Sequence, residues 1–124
     1  MVAPLRVGIA GLGTVGAEVV GLIERQKRAL SLRCGRGVRV VAVSARSKVK
    51  KRNVDLTGIA WAMNALAIAT DPKIDVFVEL MGGVGDPALS AIEAALRSGK
   101  SVVTANKALI AKHGSRLSAL AEKH

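Results

Sequence analysis

The chain has 124 residues and a formal net charge of +10, and half of its residues are hydrophobic although only 2% are aromatic. This length allows one domain with its own core, no apolar run approaches the roughly 20 residues that span a membrane, and Arg6 interrupts any signal peptide. The single cysteine, Cys34, excludes an internal disulfide and a cysteine-based metal cluster, so we expect a cytoplasmic protein without a metal site or a membrane partner.

The N-terminal part of the sequence is typical of a strand, a glycine turn and a helix. Leu5–Ala10 is a short apolar strand, and the turn that follows consists of Gly11, Leu12, Gly13, Thr14, Val15 and Gly16. From Thr14 to about Leu30 apolar residues recur at helical spacing, and Cys34–Gly37 interrupts the pattern. In this context the three glycines predict a dinucleotide fold, in which the turn and the free N–H groups of the helix hold a pyrophosphate.

Each glycine of the turn has its own predicted role. Gly11 permits the tight turn, Gly13 lets the backbone approach the phosphates, and Gly16 lets the helix pack closely on the strand. We therefore assign residues 11–16 to the binding of a dinucleotide.

The end of the second strand, Val38–Val43, indicates which dinucleotide is bound. An acidic residue at this point binds the ribose 2′-hydroxyl of NAD, but no acid occurs here before Asp55. Arg46, helped by Ser44 or Lys48, suits a 2′-phosphate instead, because a guanidinium group binds phosphate through paired hydrogen bonds. The sequence predicts NADP as the cofactor, with NAD as the alternative.

The positive charge is concentrated in the loop-like stretch after this strand, which contains Arg46, Lys48, Lys50, Lys51 and Arg52. Such a cluster attracts polyanions, either nucleic acid or the phosphates of a dinucleotide, or simply remains solvated. Because no aromatic residues for base stacking are interspersed with these cations, we expect no nucleic-acid partner.

Strands and helices alternate in the rest of the chain. The predicted strands are Ile59–Trp61, Asp75–Leu80 and Ser101–Thr104. The predicted helices are Ala62–Ala69, one that starts at Asp86-Pro87 and ends near Arg97, and one from Ala105 onward with a break near Gly114. This alternation predicts an α/β fold, a Rossmann-type doubly wound parallel sheet in a single domain spanning 1–124.

About five strands are predicted, whereas a complete dinucleotide domain usually has six. No separate substrate-binding or dimerisation domain is visible in the sequence. We therefore expect the chain to be the cofactor-binding part of something larger.

Two later loops follow the predicted strands at the same edge of the sheet as the glycine turn, where sites in these folds collect. In the first, Gly82 and Gly83 either bring the backbone close to the cofactor or only terminate a strand. In the second, Lys107 either reaches the crevice or lies on the surface. Glu79, at the end of its strand, is either a buried, paired carboxylate or orients Lys107.

Three segments together resemble, in order and spacing, the N-terminal region of homoserine dehydrogenases: the glycine turn, Asp75–Gly83 and Gly99–Leu109. The third segment is the most specific, because generic dinucleotide folds lack its Thr-Ala-Asn-Lys-Ala-Leu run. The resemblance covers essentially the whole chain.

The resemblance implies hydride transfer between NADPH or NADH and aspartate semialdehyde or homoserine, in threonine, methionine and isoleucine biosynthesis. It implies that the nicotinamide end is lined by Met81, Gly82, Gly83, Thr104, Ala105 and Asn106, and that Lys107 is catalytic. Family members continue into a domain that supplies substrate residues and the dimer interface. We therefore expect a homodimer for the full-length enzyme, and cofactor binding without turnover for this chain.

Two other functions remain open. Another NAD(P)-dependent dehydrogenase would share this N-terminal fold, but such relatives often carry a Glu-Lys-Pro-type motif where this chain has Asn106-Lys107-Ala108. A non-catalytic module that senses NAD(P)H would also fit the length, but it would leave the Thr-Ala-Asn-Lys run without a purpose.

Overall fold

Strands and helices alternate along the chain in the structure, a computed structural model that describes residues 2–47 and 54–124. In chain order the elements are β1 (Leu5–Ala10), α1 (Thr14–Arg25), α2 (Lys27–Cys34), β2 (Val38–Ser44), β3 (Ala60–Trp61), α3 (Ala65–Ala69), β4 (Val76–Glu79), α4 (Ala88–Arg97), β5 (Ser101–Thr104) and α5 (Lys107–Lys123). Of the basic stretch, Lys48, Lys50, Lys51 and Arg52 lie outside the described residues.

The five described strands form one sheet in the order β3-β2-β1-β4-β5, and every neighbouring pair is parallel. This order is that of a doubly wound fold, with β1 in the centre and the chain turning outward on both sides of it. The predicted Rossmann-type fold is confirmed. Because the strands are parallel, the segments that follow β1, β4 and β5 all leave from the same edge of the sheet.

The core lies in two layers, one on each face of the sheet. Side chains alternate along β4, so that Phe77 packs with the cluster around α3, α4 and α5, while Val78 packs with β1, β2 and α1. Gly8 of β1 allows α3 to pack tightly, because a Cβ atom at this position would lie 2.3 Å from Cγ2 of Ile68. Burial on both faces explains why these strands are almost entirely apolar.

An ion pair joins the amino ends of β1 and β4. The guanidinium group of Arg6 donates to both carboxylate oxygens of Asp75, at 3.1 and 3.0 Å, and the backbone N–H of Arg6 donates at 2.8 Å. These bonds hold the pKa of Asp75 down at about 2. The pair lies at the edge of the sheet opposite the loops that follow β4 and β5.

Two helix predictions are wrong. The helix predicted from Thr14 to about Leu30 is divided at Gln26, and its second part continues to Cys34, where Gly35 ends it with a φ of 73°. The break predicted near Gly114 is absent, because Leu109 and Leu117 are buried on either side of it and hold α5 in one piece. A glycine within a helix costs only about 1 kcal/mol, which such burial offsets.

The other boundaries differ by a few residues. The third helix begins at Ala65 rather than Ala62, because the side chain of Asn64 caps it by accepting the N–H of Ala67. Helix α4 begins at Ala88 with Pro87 in the capping position, while the carboxylate of Asp86 accepts the N–H of Ser90. Within the described residues, no helix combines the length and apolar character needed to cross a bilayer.

Candidate functional site

The glycine turn is fixed between the ends of two neighbouring strands. Gly11 has a φ of +107°, and a Cβ atom there would lie 2.7 Å from the carbonyl oxygen of Leu80, after β4. Its N–H donates to the carbonyl of Ser44, at the end of β2, at 2.9 Å. Only glycine combines this backbone conformation with so close a contact, so the tight turn predicted at Gly11 is present.

The other two glycines of the turn differ sharply in their surroundings. A Cβ atom at Gly16 would lie 1.8 Å from the carbonyl oxygen of Gly11, so α1 packs directly on the turn as predicted. A Cβ atom at Gly13 would meet nothing within 4 Å. Open space beside the backbone at Gly13 is what the close approach of a phosphate requires.

Helix α1 begins at this turn with Gly13 as its capping residue. Among residues 2–47 and 54–124 no side chain caps the N–H groups of its first turn, and that turn contains no acidic residue. The first N–H groups of a helix have no acceptor within it, and the helix dipole adds partial positive charge there. The turn is therefore suited to an anionic group such as a pyrophosphate.

Glu79, the last residue of β4, is completely buried and holds the next loop in place. Its Oε2 accepts the backbone N–H groups of Met81 at 2.7 Å and Gly82 at 3.0 Å. Its Oε1 accepts the hydroxyl of Thr104, at the end of β5, at 2.6 Å. Glu79 is thus buried, as one of the two interpretations of the sequence expected, but its described partners are uncharged donors from both loops and include no cation.

Asn106 continues this connection. Its backbone N–H donates to Oγ1 of Thr104 at 3.0 Å, and its Nδ2 donates to the carbonyl of Gly83 at 2.6 Å. Its Oδ1 accepts the N–H of Leu109 at 3.1 Å and so caps α5. We call Glu79, Met81, Gly82, Gly83, Thr104 and Asn106 the loop network, because these bonds join the two loops into one unit.

A cleft of about 200 Å³ lies where the three loops meet, and we call it the carboxyl-end cleft. Its lining residues are Val15, Glu79, Leu80, Met81, Gly82, Ala105 and Asn106. The structure thus brings together residues of all three predicted loops. Glu79 and Leu80 were not among the predicted binding residues, although their position at the end of a central strand was the signal that could have indicated them.

Other predicted residues lie around this cleft. Gly83 and Thr104 belong to the loop network, and Leu12 is buried beneath the turn with 3% of its surface exposed. Lys107 is the first residue of α5 and is exposed, adjacent to Asn106 but not part of the lining. Arg46 is exposed two residues after β2. The contacts predicted for Lys107 and Arg46 stay predictions.

A larger groove, of about 460 Å³, lies at the opposite edge of the sheet, and we call it the amino-end groove. It is lined by Pro4, Lys27, Arg28, Ser31, Leu32, Gly37, Val38 and Arg39. It contains no part of the glycine turn or of the loop network. In parallel α/β sheets ligands bind at the carboxyl ends of the strands, so the smaller cleft is the candidate site.

The chain is similar to known proteins over almost its whole length. Residues 11–124 match the family described as "Homoserine dehydrogenase, NAD binding domain". The chain is similar to a homoserine dehydrogenase of Pseudomonas aeruginosa, with 42% identity over 97% of this chain and 27% of that protein. It is also similar to the solved structure of a homoserine dehydrogenase from Thiobacillus denitrificans, with a TM-score of 0.89 and 38% identity over 97% of this chain and 27% of that one.

A more distant structural relative is a biliverdin reductase from Synechocystis, solved with biliverdin and NADP⁺. Its TM-score is 0.69 and its identity 27%, over 98% of this chain and 35% of that one. The chain therefore spans little more than a quarter of the length of the homoserine dehydrogenases that it matches.

Proposed function

The chain belongs to the homoserine dehydrogenase family, as its NAD-binding domain, and from this premise we propose that it binds a nicotinamide dinucleotide in the carboxyl-end cleft. The observation that carries the proposal is the geometry of the glycine turn. Gly11 and Gly16 are packed against backbone, while Gly13 faces open space at the start of an uncapped helix. The turn therefore has both the room and the N–H groups that a pyrophosphate needs.

We assign the loop network to the nicotinamide end of the cofactor. Met81, Gly82, Ala105 and Asn106 line the cleft, and their loops are held together by hydrogen bonds before any ligand binds. Such preorganisation lowers the cost of ordering the loops on binding. When bound, the dinucleotide supplies or accepts the hydride.

We assign to Lys107 the stabilisation of negative charge on the reacting oxygen of the substrate. It is an exposed cation at the first position of α5, directly after the capping residue Asn106. A cation at this end of a helix opposes the helix dipole, so helix stability gives no reason for a lysine at this position. That unfavourable placement supports a chemical role.

We propose that the activity served by this domain is the interconversion of aspartate semialdehyde and homoserine, in the biosynthesis of threonine, methionine and isoleucine in the cytoplasm. About three quarters of the matched homoserine dehydrogenases have no counterpart in this chain. We therefore assign the substrate-binding residues and the homodimer interface to that part of the enzyme. The chain by itself binds cofactor without turnover.

We propose NADP as the preferred cofactor. Arg46 is exposed close after β2, where the 2′-substituent of the adenosine ribose lies in dinucleotide folds. The NADP⁺ in the biliverdin reductase structure supports the view that this fold accommodates the additional phosphate. Because Ser44 is only 4% exposed, we assign the contact with the 2′-phosphate to Arg46 first.

Substitution of Gly13 tests the proposal. In Gly13→Ala the added methyl group fits the free protein, because nothing lies within 4 Å, but it occupies the space assigned to the phosphates. We expect the dissociation constant for NADPH to rise about tenfold, which corresponds to roughly 1.4 kcal/mol. The measurement is a fluorescence titration of NADPH, repeated with NADH.

The matched control is Gly37→Ala, at the opposite edge of the sheet, where the added methyl group makes an ordinary contact of 3.5 Å with Pro4. This variant should bind NADPH as the unmodified chain does. Equal affinity of Gly13→Ala and the unmodified chain would contradict the site. Tighter binding of NADH than of NADPH would contradict the assignment of Arg46.

A further inference from the structure

Among the residues that the structure describes, the carboxyl-end cleft has a buried carboxylate in its wall and no cation beside that carboxylate. Glu79 lines the cleft and is completely buried, and within residues 2–47 and 54–124 no lysine, arginine or histidine lies within 4.0 Å of its carboxylate. The chain's other buried carboxylate differs, because Glu93 pairs with Arg116 at 2.9 Å and Arg97 at 3.4 Å. Among the described residues, only uncharged donors contact the carboxylate of Glu79.

The hydrogen bonds at Glu79 match an ionised carboxylate. The N–H groups of Met81 and Gly82 can only donate, and both point at Oε2. The hydroxyl of Thr104 accepts the N–H of Asn106 and donates to Oε1 of Glu79. All three of these groups therefore donate to the carboxylate, an arrangement that favours its ionised form.

We propose that Glu79 sets the preference of the cleft for the redox state of its cofactor. The inference rests on the proposed function, which assigns the nicotinamide ring to this part of the cleft. The ring carries a positive charge in the oxidised dinucleotide and none in the reduced form. A buried carboxylate that no cation among the described residues neutralises attracts the oxidised ring more than the uncharged reduced ring, and its burial reduces the screening of this attraction.

This preference is useful to a dehydrogenase. Stronger binding of the oxidised form makes the bound cofactor a weaker oxidant, and therefore a stronger hydride donor, than the free cofactor. Glu79 would in this way favour reduction of an aldehyde by the bound reduced form. Its hydrogen bonds to both loops explain why a carboxylate can be retained at this position in the core.

The test compares the binding of NADP⁺ and NADPH by the unmodified chain, Glu79→Gln and Asp75→Asn. In Glu79→Gln we expect the affinity for NADP⁺ to fall roughly tenfold relative to that for NADPH. Asp75→Asn removes the same unit of charge from the same region of the chain, at the other end of β4 and outside the cleft. It should leave the ratio of the two dissociation constants unchanged.

Three outcomes would overturn the inference. An equal loss of affinity for both forms in Glu79→Gln would show that Glu79 only holds the loops. The same change of ratio in Asp75→Asn would show an effect of net charge alone. Failure of the unmodified chain to bind either form would contradict the proposed function itself, and the inference with it.

Glu79→Gln places an amide beside the backbone N–H groups of Met81 and Gly82, which can only donate, and the thermal unfolding of each variant is therefore recorded. If Glu79→Gln does not unfold cooperatively, the two dissociation constants of the unmodified chain decide the question. We then expect NADP⁺ to bind more tightly than NADPH, because the carboxylate attracts only the charged ring. Tighter binding of NADPH than of NADP⁺ by the unmodified chain would contradict the inference.

Discussion

Two carboxylates, one at each end of β4, show how position decides what a charged side chain does. Asp75 precedes the strand, is partly exposed, and pairs with Arg6. Glu79 ends the strand, is completely buried, and accepts bonds only from uncharged donors among the described residues. The first carboxylate therefore contributes to stability in a pH-dependent way, while the second shapes the cleft.

The pair at Asp75 predicts a specific pH dependence. Its pKa is about 2 in the folded chain, below the ordinary value of 3.8, so its contribution is complete above about pH 4 and disappears as the pH falls through 2. Asp75→Asn should therefore unfold at a lower urea concentration than the unmodified chain at neutral pH. Near pH 2 the two midpoints should converge. A difference that stays constant from pH 7 to pH 2 would contradict this role.

At the scale of elements, the cleft depends on the loop network rather than on any single loop. The loop after β4 and the loop after β5 are joined by the bond from Asn106 to Gly83, and the same side chain caps α5. Stability of the helix and shape of the cleft are thus coupled through one residue. The cap and the bond to Gly83 together explain why a polar side chain is buried at this position.

Asn106→Ala tests the coupling. Loss of the cap costs about 1 kcal/mol and loss of the bond to Gly83 about the same, so the free energy of unfolding should fall by about 2 kcal/mol. NADPH binding should weaken as well, because the loop after β4 is no longer fixed. Urea unfolding and cofactor titration provide the two readouts.

Asn64→Ala is the control for this variant, since Asn64 caps α3 through the same kind of bond, at 2.9 Å, outside the cleft. It should lose about 1 kcal/mol of stability and bind NADPH normally. Equal effects of the two substitutions on NADPH affinity would show that Asn106 acts through stability alone.

The sequence predicted local features well and distant partners poorly. Strand positions and the tight turn at Gly11 followed from patterns within a few residues. The hydrogen bond from Thr104 to Glu79 did not follow from such local patterns. The two residues are 25 positions apart, and only the sheet order brings them together. The division between α1 and α2 at Gln26 was also missed, since neither glycine nor proline marks it.

At the scale of the whole molecule, the parallel sheet separates two concave surfaces. The carboxyl-end cleft lies where the start of α1 meets the loop network, whereas the amino-end groove includes Lys27, Arg28 and Arg39. The cations of the amino-end groove favour an anionic ligand there, and the backbone N–H groups of α1 favour one at the carboxyl-end cleft. Only the carboxyl-end cleft combines helix N–H groups, open space at Gly13 and a preorganised wall.

An amide NMR titration of the chain with NADPH tests the central claim, that the dinucleotide binds in the carboxyl-end cleft. We predict that the largest chemical-shift changes occur at residues 11–16, 81–83 and 104–106, where the glycine turn and the two loops meet. The amides of Lys27, Arg28 and Arg39 should remain unchanged. Largest changes in the amino-end groove, or none at saturating NADPH, would contradict the account.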